Sequence, residues 1–507
     1  MSFEIRDTDL AGRIGRLCTR HGCIETPAFF PVIDVYRQEV STREISEIGF
    51  NQVITNSYLI LKRYGEEAVE RGVHGLLDFN GVVMTDSGAY QILEYGSVDV
   101  DQETIMEFQA RIGSDIAVIL DIPTGDVDRA TAARSVEETL RRARAAIPLI
   151  QGVAKGPLWV LPIQGGRHLD LVAKSAEEAA RIHEAYDIFG VGSPTVFLER
   201  YEYRTIIEMI LTAKSRIPWG KPVHLFGAGH PLIIPLAVAA GIDMFDSASY
   251  ILYARDDRYI TEYGVERLER LEYFPCNCPV CSRYTPKDLL EMPKRERTRL
   301  LAIHNLYMIL KSIRRTKQAI REGRLWELVE EVSHRHPRAL DAVKALLGKS
   351  RVLEKGTPRS KGVVRGLRFY GPTSYRRPKL ERFRAEVERY LTGRPGPRRA
   401  VLIPYPEDTG SCPTDPMWSD QLVAFYAPFI GLVPRELCGV YPTTHNDMPR
   451  DPEAIVIEET AEHIASLLHK LGYERVEIVP GVGSLEKLAR LIAEGLSRRG
   501  VEVIVAR

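Results

Sequence analysis

The sequence predicts an α/β protein built on a closed (β/α)8 barrel, and three observations predict it. Short apolar runs alternate with amphipathic stretches of helical periodicity, eight times over roughly 225 residues. Six of the runs end in a carboxylate, an amide or glycines, which parallel strands of a barrel would bring to one rim. No glycine-rich dinucleotide fingerprint or phosphate-binding loop follows any run, which disfavours an open nucleotide-binding sheet.

The eight runs have the length and the continuous apolar character of parallel strands that are buried on both faces. A segment before them, residues 3–25, alternates and is punctuated by glycine, which predicts an antiparallel lid of short strands. The predicted barrel strands are residues 28–33, 52–60, 81–85, 115–120, 158–163, 186–191, 222–226 and 242–245.

The residues that follow the strands include three carboxylates. A single Asp after a strand usually caps the next helix, but six consecutive strand ends of this kind indicate a shared pocket. Asp246 is the strongest candidate for a catalytic group, because it leaves the last strand with Asp243 before it and two serines behind it. The strand ends are Asp86-Ser87-Gly88, Asp121, Gln164-Gly165-Gly166, Gly190-Val191-Gly192, Gly227-Ala228-Gly229 and Asp246.

Three cysteines form a tight group, Cys276, Cys278 and Cys281, and His304 follows on a predicted helix. Three thiolates and one imidazole make a tetrahedral set suited to Zn²⁺, with no vacancy for water, so the predicted role is structural. The remaining four cysteines are scattered, and the sequence does not suggest a disulfide framework.

The length of 507 residues predicts two to four domains. Net charge is zero, yet residues 349–399 hold sixteen Lys or Arg against four Glu, a local charge of +12. Their aromatic side chains, Phe369, Tyr370, Tyr375 and Phe383, suggest phosphate contact and base stacking. We therefore expect a barrel domain over residues 1–345 with a zinc subdomain at about 270–330, a basic linker or RNA-contact segment over 346–399, and a small α/β domain over 400–507.

The last segment alternates again between strand and helix. Strands are predicted at 400–404, 436–440, 475–479 and 501–506, and helices at 420–430, 455–471 and 485–497. The longest nearly uncharged apolar run, 231–242, is too short to span a membrane, and the N-terminus has no signal layout. We expect no membrane association and a cytoplasmic location.

Together these motifs resemble the tRNA-guanine transglycosylases. The similarity covers about residues 1–345, and Phe245–Tyr250 followed by Ala254–Tyr259, with the added C-terminal domains, resembles the archaeal branch. The residues that carry it are Thr26-Pro-Ala-Phe-Phe-Pro-Val32, Met84-Thr-Asp-Ser-Gly-Ala-Tyr-Gln91, Gln164-Gly-Gly, Met244-Phe-Asp-Ser and the Cys-x-Cys-x-x-Cys to His set.

The resemblance implies a base exchange. Guanine at position 15 of the tRNA D-arm would be replaced by 7-cyano-7-deazaguanine, with Asp246 as the nucleophile at ribose C1′ and Asp86 as the general acid/base. It further implies that the base edge is gripped by Ser87, Asp121, Gln164, Gly190 and Val191, and that the target nucleotide leaves the stacked RNA core.

Family members form homodimers near the zinc subdomain, so a homodimer is expected here. Archaeal members commonly end in an RNA-binding PUA domain, and nothing resembling one precedes the last residue, so a separate RNA-binding partner is an alternative. The rival functions are exchange at wobble position 34, a non-exchanging relative of archaeosine synthase, a non-catalytic tRNA-binding subunit and a hydrolytic glycosidase. Retention of Asp86 and Asp246 disfavours the archaeosine synthase relative and the binding subunit, and the zinc set disfavours the glycosidase.

Overall fold

A computed structural model describes residues 3–89, 100–152, 156–362, 365–393, 398–406, 412, 421–444 and 446–506. Tyr90 and Gln91 of the third-strand motif lie outside the described residues. The chain forms two compact units, Met1–Arg321 with Glu331–Leu346, and Glu322–Glu330 with Leu347–Arg507. Across the part of the chain that the structure describes, none of the helices combines the length and apolar character that crossing a membrane demands.

The first unit begins with an antiparallel sheet of β1 (Phe3–Asp9), β2 (Gly12–Thr19) and β3 (Gly22–Thr26). Its side chains Phe3, Leu17 and Ile24 pack into the same core cluster as the barrel interior. The buried Arg13 side chain donates to Asp243 just before the last barrel strand, with Nε 3.0 Å from Oδ1. The sheet therefore closes the amino-terminal end of the barrel, opposite the rim where the strands end.

The predicted barrel is confirmed, with eight parallel strands closing in chain order. Their side chains are almost all buried, which is why the runs look continuously apolar instead of alternating. The run at 52–60 was predicted too long, because Asn56 caps a helix that begins at Ser57. The strands are β4 (Ala28–Ile33), β5 (Gln52–Asn56), β6 (Val82–Asp86), β7 (Ile116–Val118), β8 (Leu158–Ile163), β9 (Ile188–Val191), β10 (Val223–Leu225) and β11 (Met244–Ser247).

Helices surround these strands and bury apolar faces against them. Ser41 and Glu44 form a capping box at the first of them, and Gly49 ends it with φ of 119°. The helices are Thr42–Ile48, Ser57–Tyr64, Glu66–Leu77, Gln102–Arg111, Arg129–Gly152, Leu169–Arg181, His183–Ala185 (3-10), Thr195–Glu199, Tyr203–Lys214, Ile233–Ala240 and Ser249–Arg255.

A cysteine-bearing region follows the last barrel strand. The strands β12 (Arg258–Ile260) and β13 (Val265–Arg267) form a two-stranded antiparallel ribbon. The helices that follow are Leu268–Arg270 (3-10), Pro286–Glu291, Lys294–Glu322, Leu325–Ser333 and Pro337–Leu346.

The second unit is a five-stranded α/β sheet in the order β16-β15-β14-β17-β18 with its own hydrophobic core. All neighbouring strands are parallel except the edge strand β16. The elements are the helices Ser350–Leu353, Pro372–Tyr375, Pro378–Thr392, Arg435–Leu437 (3-10), Ala454–Lys470 and Ser484–Ser497, and the strands β14 (Arg399–Pro404), β15 (Leu422–Ala427), β16 (Gly431–Pro434), β17 (Arg475–Ile478) and β18 (Glu502–Val505).

Two secondary-structure predictions in this unit are wrong. The segment predicted as a helix at 420–430 is strand β15 from Leu422 onwards, and the strand predicted at 436–440 is a 3-10 turn and loop that follows β16. The segment Leu422–Ala427 is apolar without a clear helical or strand periodicity, because β15 lies between two strands and is buried on both faces.

The basic segment is more structured than its composition suggests. Phe369, Tyr375 and Phe383 are core residues, so these three rings are not available to stack on bases, whereas Tyr370 is 53% exposed. Several of its arginines pair with carboxylates of the same unit, such as Arg377 with Glu327.

The expectation about the scattered cysteines is also wrong. Cys18 and Cys23 form a disulfide between directly paired residues of β2 and β3, and Cys412 and Cys438 form a second one.

Candidate active site

Asp246 lies in β11 at the rim formed by the strand ends, and it is 8% exposed. Its Oδ1 accepts two hydrogen bonds, from His224 Nε2 at 2.7 Å and from the Gly227 amide at 3.0 Å. One oxygen of the carboxylate is therefore held by two donors, and the orientation of the other oxygen is fixed with it.

Asp86 is the last residue of β6 and belongs to the same rim. It keeps partial access to solvent, but loss of hydration, followed by repulsion from Asp121 and Asp246, raises the pKa of Asp86 to about 7. Hydrogen bonds from the amides of Ser87 and Gly88 act in the opposite direction. A carboxyl group with such a pKa holds a proton near neutral pH and can give it up, as a general acid/base requires.

The buried side chains of Asp121 and Gln164 form one network. Gln164 Nε2 donates to Asp121 Oδ2 at 2.5 Å, while Gln164 Oε1 accepts from the Thr124 amide at 3.1 Å and from Ser193 Oγ at 2.8 Å. Burial raises the pKa of Asp121 to about 6, and the bond from Gln164 opposes that shift. The orientation of the Gln164 amide is thus fixed, since its nitrogen faces a carboxylate and its oxygen faces two donors.

Gly190 and Val191 end strand β9, and both are buried. The next residue, Gly192, lies so close to Gln164 that a larger residue would clash, because a Cβ there would lie 2.2 Å from Gln164 Nε2. A side chain at this position would push the Gln164 amide away from Asp121.

Ser87 is 1% exposed, and among the described residues its Oγ has no hydrogen-bond partner. A buried hydroxyl without a partner is costly, so a polar group of a ligand is a fitting partner.

The structure thus brings the predicted strand-end residues to one end of the barrel, but it separates Asp243 from them, since that side chain binds Arg13 at the opposite end. Sequence reasoning missed His224, Thr124 and Ser193. For His224 a signal existed, because it is a polar residue inside an apolar strand, but only the structure shows that it faces Asp246.

The second predicted site is a group of side chains able to bind a metal. One ligand atom from each of Cys276, Cys278, Cys281 and His304 lies within 4.8 Å of the others. His304 Nδ1 is 3.3 Å from Cys281 Sγ, and its Nε2 lies 2.9 Å from the Ile260 carbonyl oxygen. Because a carbonyl only accepts, Nε2 carries the proton and the Nδ1 lone pair faces the thiols, as metal binding requires.

A further histidine group lies at the amino-terminal end of the barrel. His21 Nδ1 and His74 Nε2 donate to the two oxygens of Asp115, at 2.9 and 3.0 Å, and the Val83 amide donates to Oδ2 at 2.9 Å. Burial raises the pKa of Asp115, but the bonds from His74, Val83 and His21 outweigh it and lower the pKa to about 2. The group is a satisfied hydrogen-bond network that fixes the hairpin between β2 and β3 to the barrel.

Comparisons of the sequence with known proteins show which family it resembles. The family model for queuine tRNA-ribosyltransferase, TGT, matches residues 7–338. A tRNA-guanine(15) transglycosylase of Aeropyrum pernix is 57% identical over 470 residues, which cover 92% of this chain and 91% of that protein. Proteins of the same name from Sulfolobus acidocaldarius and Saccharolobus solfataricus are 44% identical over 481 residues and 46% identical over 494 residues, covering 94% of this chain and 95% and 96% of theirs.

Proposed function

Because the chain belongs to the queuine tRNA-ribosyltransferase (TGT) family and is therefore a tRNA pentosyltransferase, we propose that it replaces guanine at position 15 of tRNA with 7-cyano-7-deazaguanine. This is the first tRNA step towards archaeosine. The names of its relatives support position 15. The single observation that carries the proposal is a pair of carboxyl groups at one rim, Asp246 held by two donors and Asp86 with its pKa raised to about 7.

In the first step Asp246 bonds to ribose C1′ as the bond from C1′ to guanine N9 breaks. Asp86 gives its proton to the departing guanine, and the tRNA stays attached as a glycosyl ester. A carboxylate suits this role, since the transition state at C1′ is positively charged.

In the second step the incoming base attacks C1′ through N9 and its N9 proton goes to Asp86. The bond from C1′ to Asp246 breaks, and its electron pair returns to the carboxylate. Two displacements retain the configuration at C1′.

The Asp121–Gln164 network, the Ser87 hydroxyl and the strand end at Gly190 and Val191 bind the base edge in this proposal. Asp121 accepts from ring and exocyclic N–H groups, while Gln164 and Ser87 supply further polar contacts. The support is their burial at the rim and the fixed orientation of the Gln164 amide.

The ion of the Cys3His set is proposed to be Zn²⁺ in a structural role, because three thiols and one imidazole saturate a tetrahedral ion. We also propose a homodimer whose interface lies near this region, where the side chains of Tyr263 and Tyr273 are 65% and 82% exposed. We further propose a cytoplasmic enzyme, and a separate RNA-binding partner of the PUA type if the chain alone binds tRNA weakly.

The test is base exchange with purified protein, unmodified tRNA and labelled guanine or 7-cyano-7-deazaguanine. We expect label at position 15 with the unaltered chain and a loss of at least about 10³-fold with Asp246→Ala. Label at position 34 would indicate the wobble reaction. No label with either base, even after addition of archaeal extract, would indicate a non-exchanging relative or a binding subunit.

A further inference from the structure

We propose that His224 is a positioning residue that makes the Asp246 carboxylate a better leaving group. The inference rests on the proposed covalent exchange and concerns the step that releases the tRNA. It is carried by the hydrogen bond of 2.7 Å between His224 Nε2 and Asp246 Oδ1.

The geometry selects the reacting oxygen. Oδ1 accepts from both His224 Nε2 and the Gly227 amide, at 2.7 and 3.0 Å. An oxygen with two donors is the poorer nucleophile, so Oδ2 is the atom that bonds to C1′. Oδ1 then becomes the carbonyl oxygen of the ester and keeps the same two donors.

The tautomer of His224 follows from its partners. The Asp246 carboxylate only accepts, so Nε2 carries a proton. Nδ1 is buried and has no hydrogen-bond partner among the described residues, and a bare lone pair there costs less than an unpaired N–H.

The surroundings of His224 hold the ring in place. The side chain is fully buried, and its centroid lies 4.6 Å from that of Phe226 and 6.1 Å from that of Phe30. Both neighbours are apolar, so the bond to Asp246 is formed in a medium that strengthens it. Its strength depends on the charge of its acceptor.

The charge on Asp246 differs between the two states of the reaction. Hydrogen bonds to a charged group are stronger than those to a neutral one, so the donors favour the free carboxylate over the glycosyl ester. As C1′ bonds to N9 of the incoming base and its bond to Asp246 breaks, the electron pair returns to a carboxylate that His224 and Gly227 already stabilise. Without the His224 donor, the covalent tRNA adduct is more stable relative to the free enzyme.

The experiment measures the adduct at equilibrium. Unaltered protein, His224→Leu and His224→Gln are each mixed with tRNA at graded concentrations of free guanine, and the fraction of protein that carries tRNA after denaturation is measured. Leu removes the donor at similar volume, whereas Gln keeps an N–H donor. The guanine concentration that halves the adduct should rise about tenfold with Leu and stay near the unaltered value with Gln.

Structural damage alone would lower the adduct at every guanine concentration without moving that midpoint. An unmoved midpoint in a folded His224→Leu variant, tRNA binding without adduct in that variant, or a Gln variant that behaves like Leu would each overturn the inference. If His224→Leu does not fold, His224→Asn, whose amide is too short to reach Asp246, takes its place against Gln. Failure of the unaltered protein to form any adduct would instead overturn the proposed function.

Discussion

At the scale of single residues, three aspartates at the rim have the same carboxyl group but different surroundings. Asp86 is placed where burial and two like charges favour its protonated form, whereas Asp246 accepts hydrogen bonds from His224 and from the Gly227 amide through one oxygen. Asp121 faces an amide and is suited to recognition. The surroundings of these three aspartates thus differ, which suits each of them to its proposed role.

The pKa of about 7 at Asp86 predicts a pH dependence of the first half-reaction. A proton donor with this pKa is charged above about pH 7, so the single-turnover rate of adduct formation should fall as the pH rises beyond it. Asp121→Asn removes a negative charge that raises the Asp86 pKa, so the decline of the rate with rising pH should begin at lower pH. Asp170→Asn, at an exposed position, serves as the control. A pH profile that Asp121→Asn leaves unchanged would contradict the role of Asp86 as the proton donor.

Gly192→Ala should weaken base recognition through Gln164. The new methyl group would displace the buried Gln164 amide from its bonds to Asp121, Thr124 and Ser193, so the unfolding free energy should also fall, by about 1–3 kcal/mol. The KM for the incoming base should rise about tenfold as its polar contacts are lost. Gly152→Ala, where nothing lies within 4 Å of the added Cβ, is the matched control. An unchanged KM would show that Gln164 does not bind the base.

At the scale of elements, the sequence predicts a segment well when its local pattern determines its secondary structure, and poorly when pairing with a distant strand determines it. The barrel strands are flanked by helices of clear period, so their number and order were predictable, although the end of the strand Gln52–Asn56 was not. Strand β15 was not, because a short apolar run fits helix or strand equally, and its pairing with β14 decides between them.

Other features required spatial neighbours that no sequence pattern reveals. The Cys18–Cys23 disulfide depends on the register of β2 and β3, which makes the two residues direct partners. Arginine beside aromatic residues suggested RNA stacking, but in the fold Arg384 lies 3.9 Å from the centroid of the Tyr375 ring, inside the core. His224 is similar, since its position in β10 is predictable and its partner is not.

The metal set joins the loop of Cys276, Cys278 and Cys281 to the long helix that carries His304. Removal of the metal with a chelator should therefore lower the unfolding free energy by more than about 3 kcal/mol, measured by thermal unfolding, and elemental analysis should find one zinc per chain before treatment. Re-addition of Zn²⁺ to freshly depleted protein is the control. Protein that stays folded without metal but loses only the chemical step would contradict a structural role.

At the scale of the whole molecule, the chain contains two compact units, and the second has its own core. That unit includes Glu322–Glu330, a segment that precedes the rest of it in sequence. Glu327 in this segment binds the fully buried Arg377, with Nη2 3.0 Å from Oε2. A short stretch distant in sequence is thus needed to neutralise a charge inside the second unit.

Glu327→Gln should destabilise the second unit selectively. Removal of one charge from a buried ion pair costs about 3–5 kcal/mol, so amide hydrogen exchange in β14, β15 and β17 should accelerate while exchange in the barrel strands stays unchanged. The double variant Glu327→Leu with Arg377→Met removes both charges and should recover most of the protection. Equal acceleration in both units would contradict the expected selective effect.

The β1–β2–β3 sheet has a consequence for the order of events in catalysis. It closes the amino-terminal end of the barrel, and the described side chains inside the barrel pack into one core cluster, so the described residues leave the rim as the route for a base. In the proposed mechanism, the departing and the arriving base therefore both pass through the rim where the strands end, and both bind beside Asp121 and Gln164. The first must leave before the second enters, so the kinetics should be ping-pong with respect to the two bases. In the interval, the proposed mechanism leaves the enzyme with a tRNA that lacks a base at the target position, and the proposed ester to Asp246 would keep that abasic RNA from dissociating.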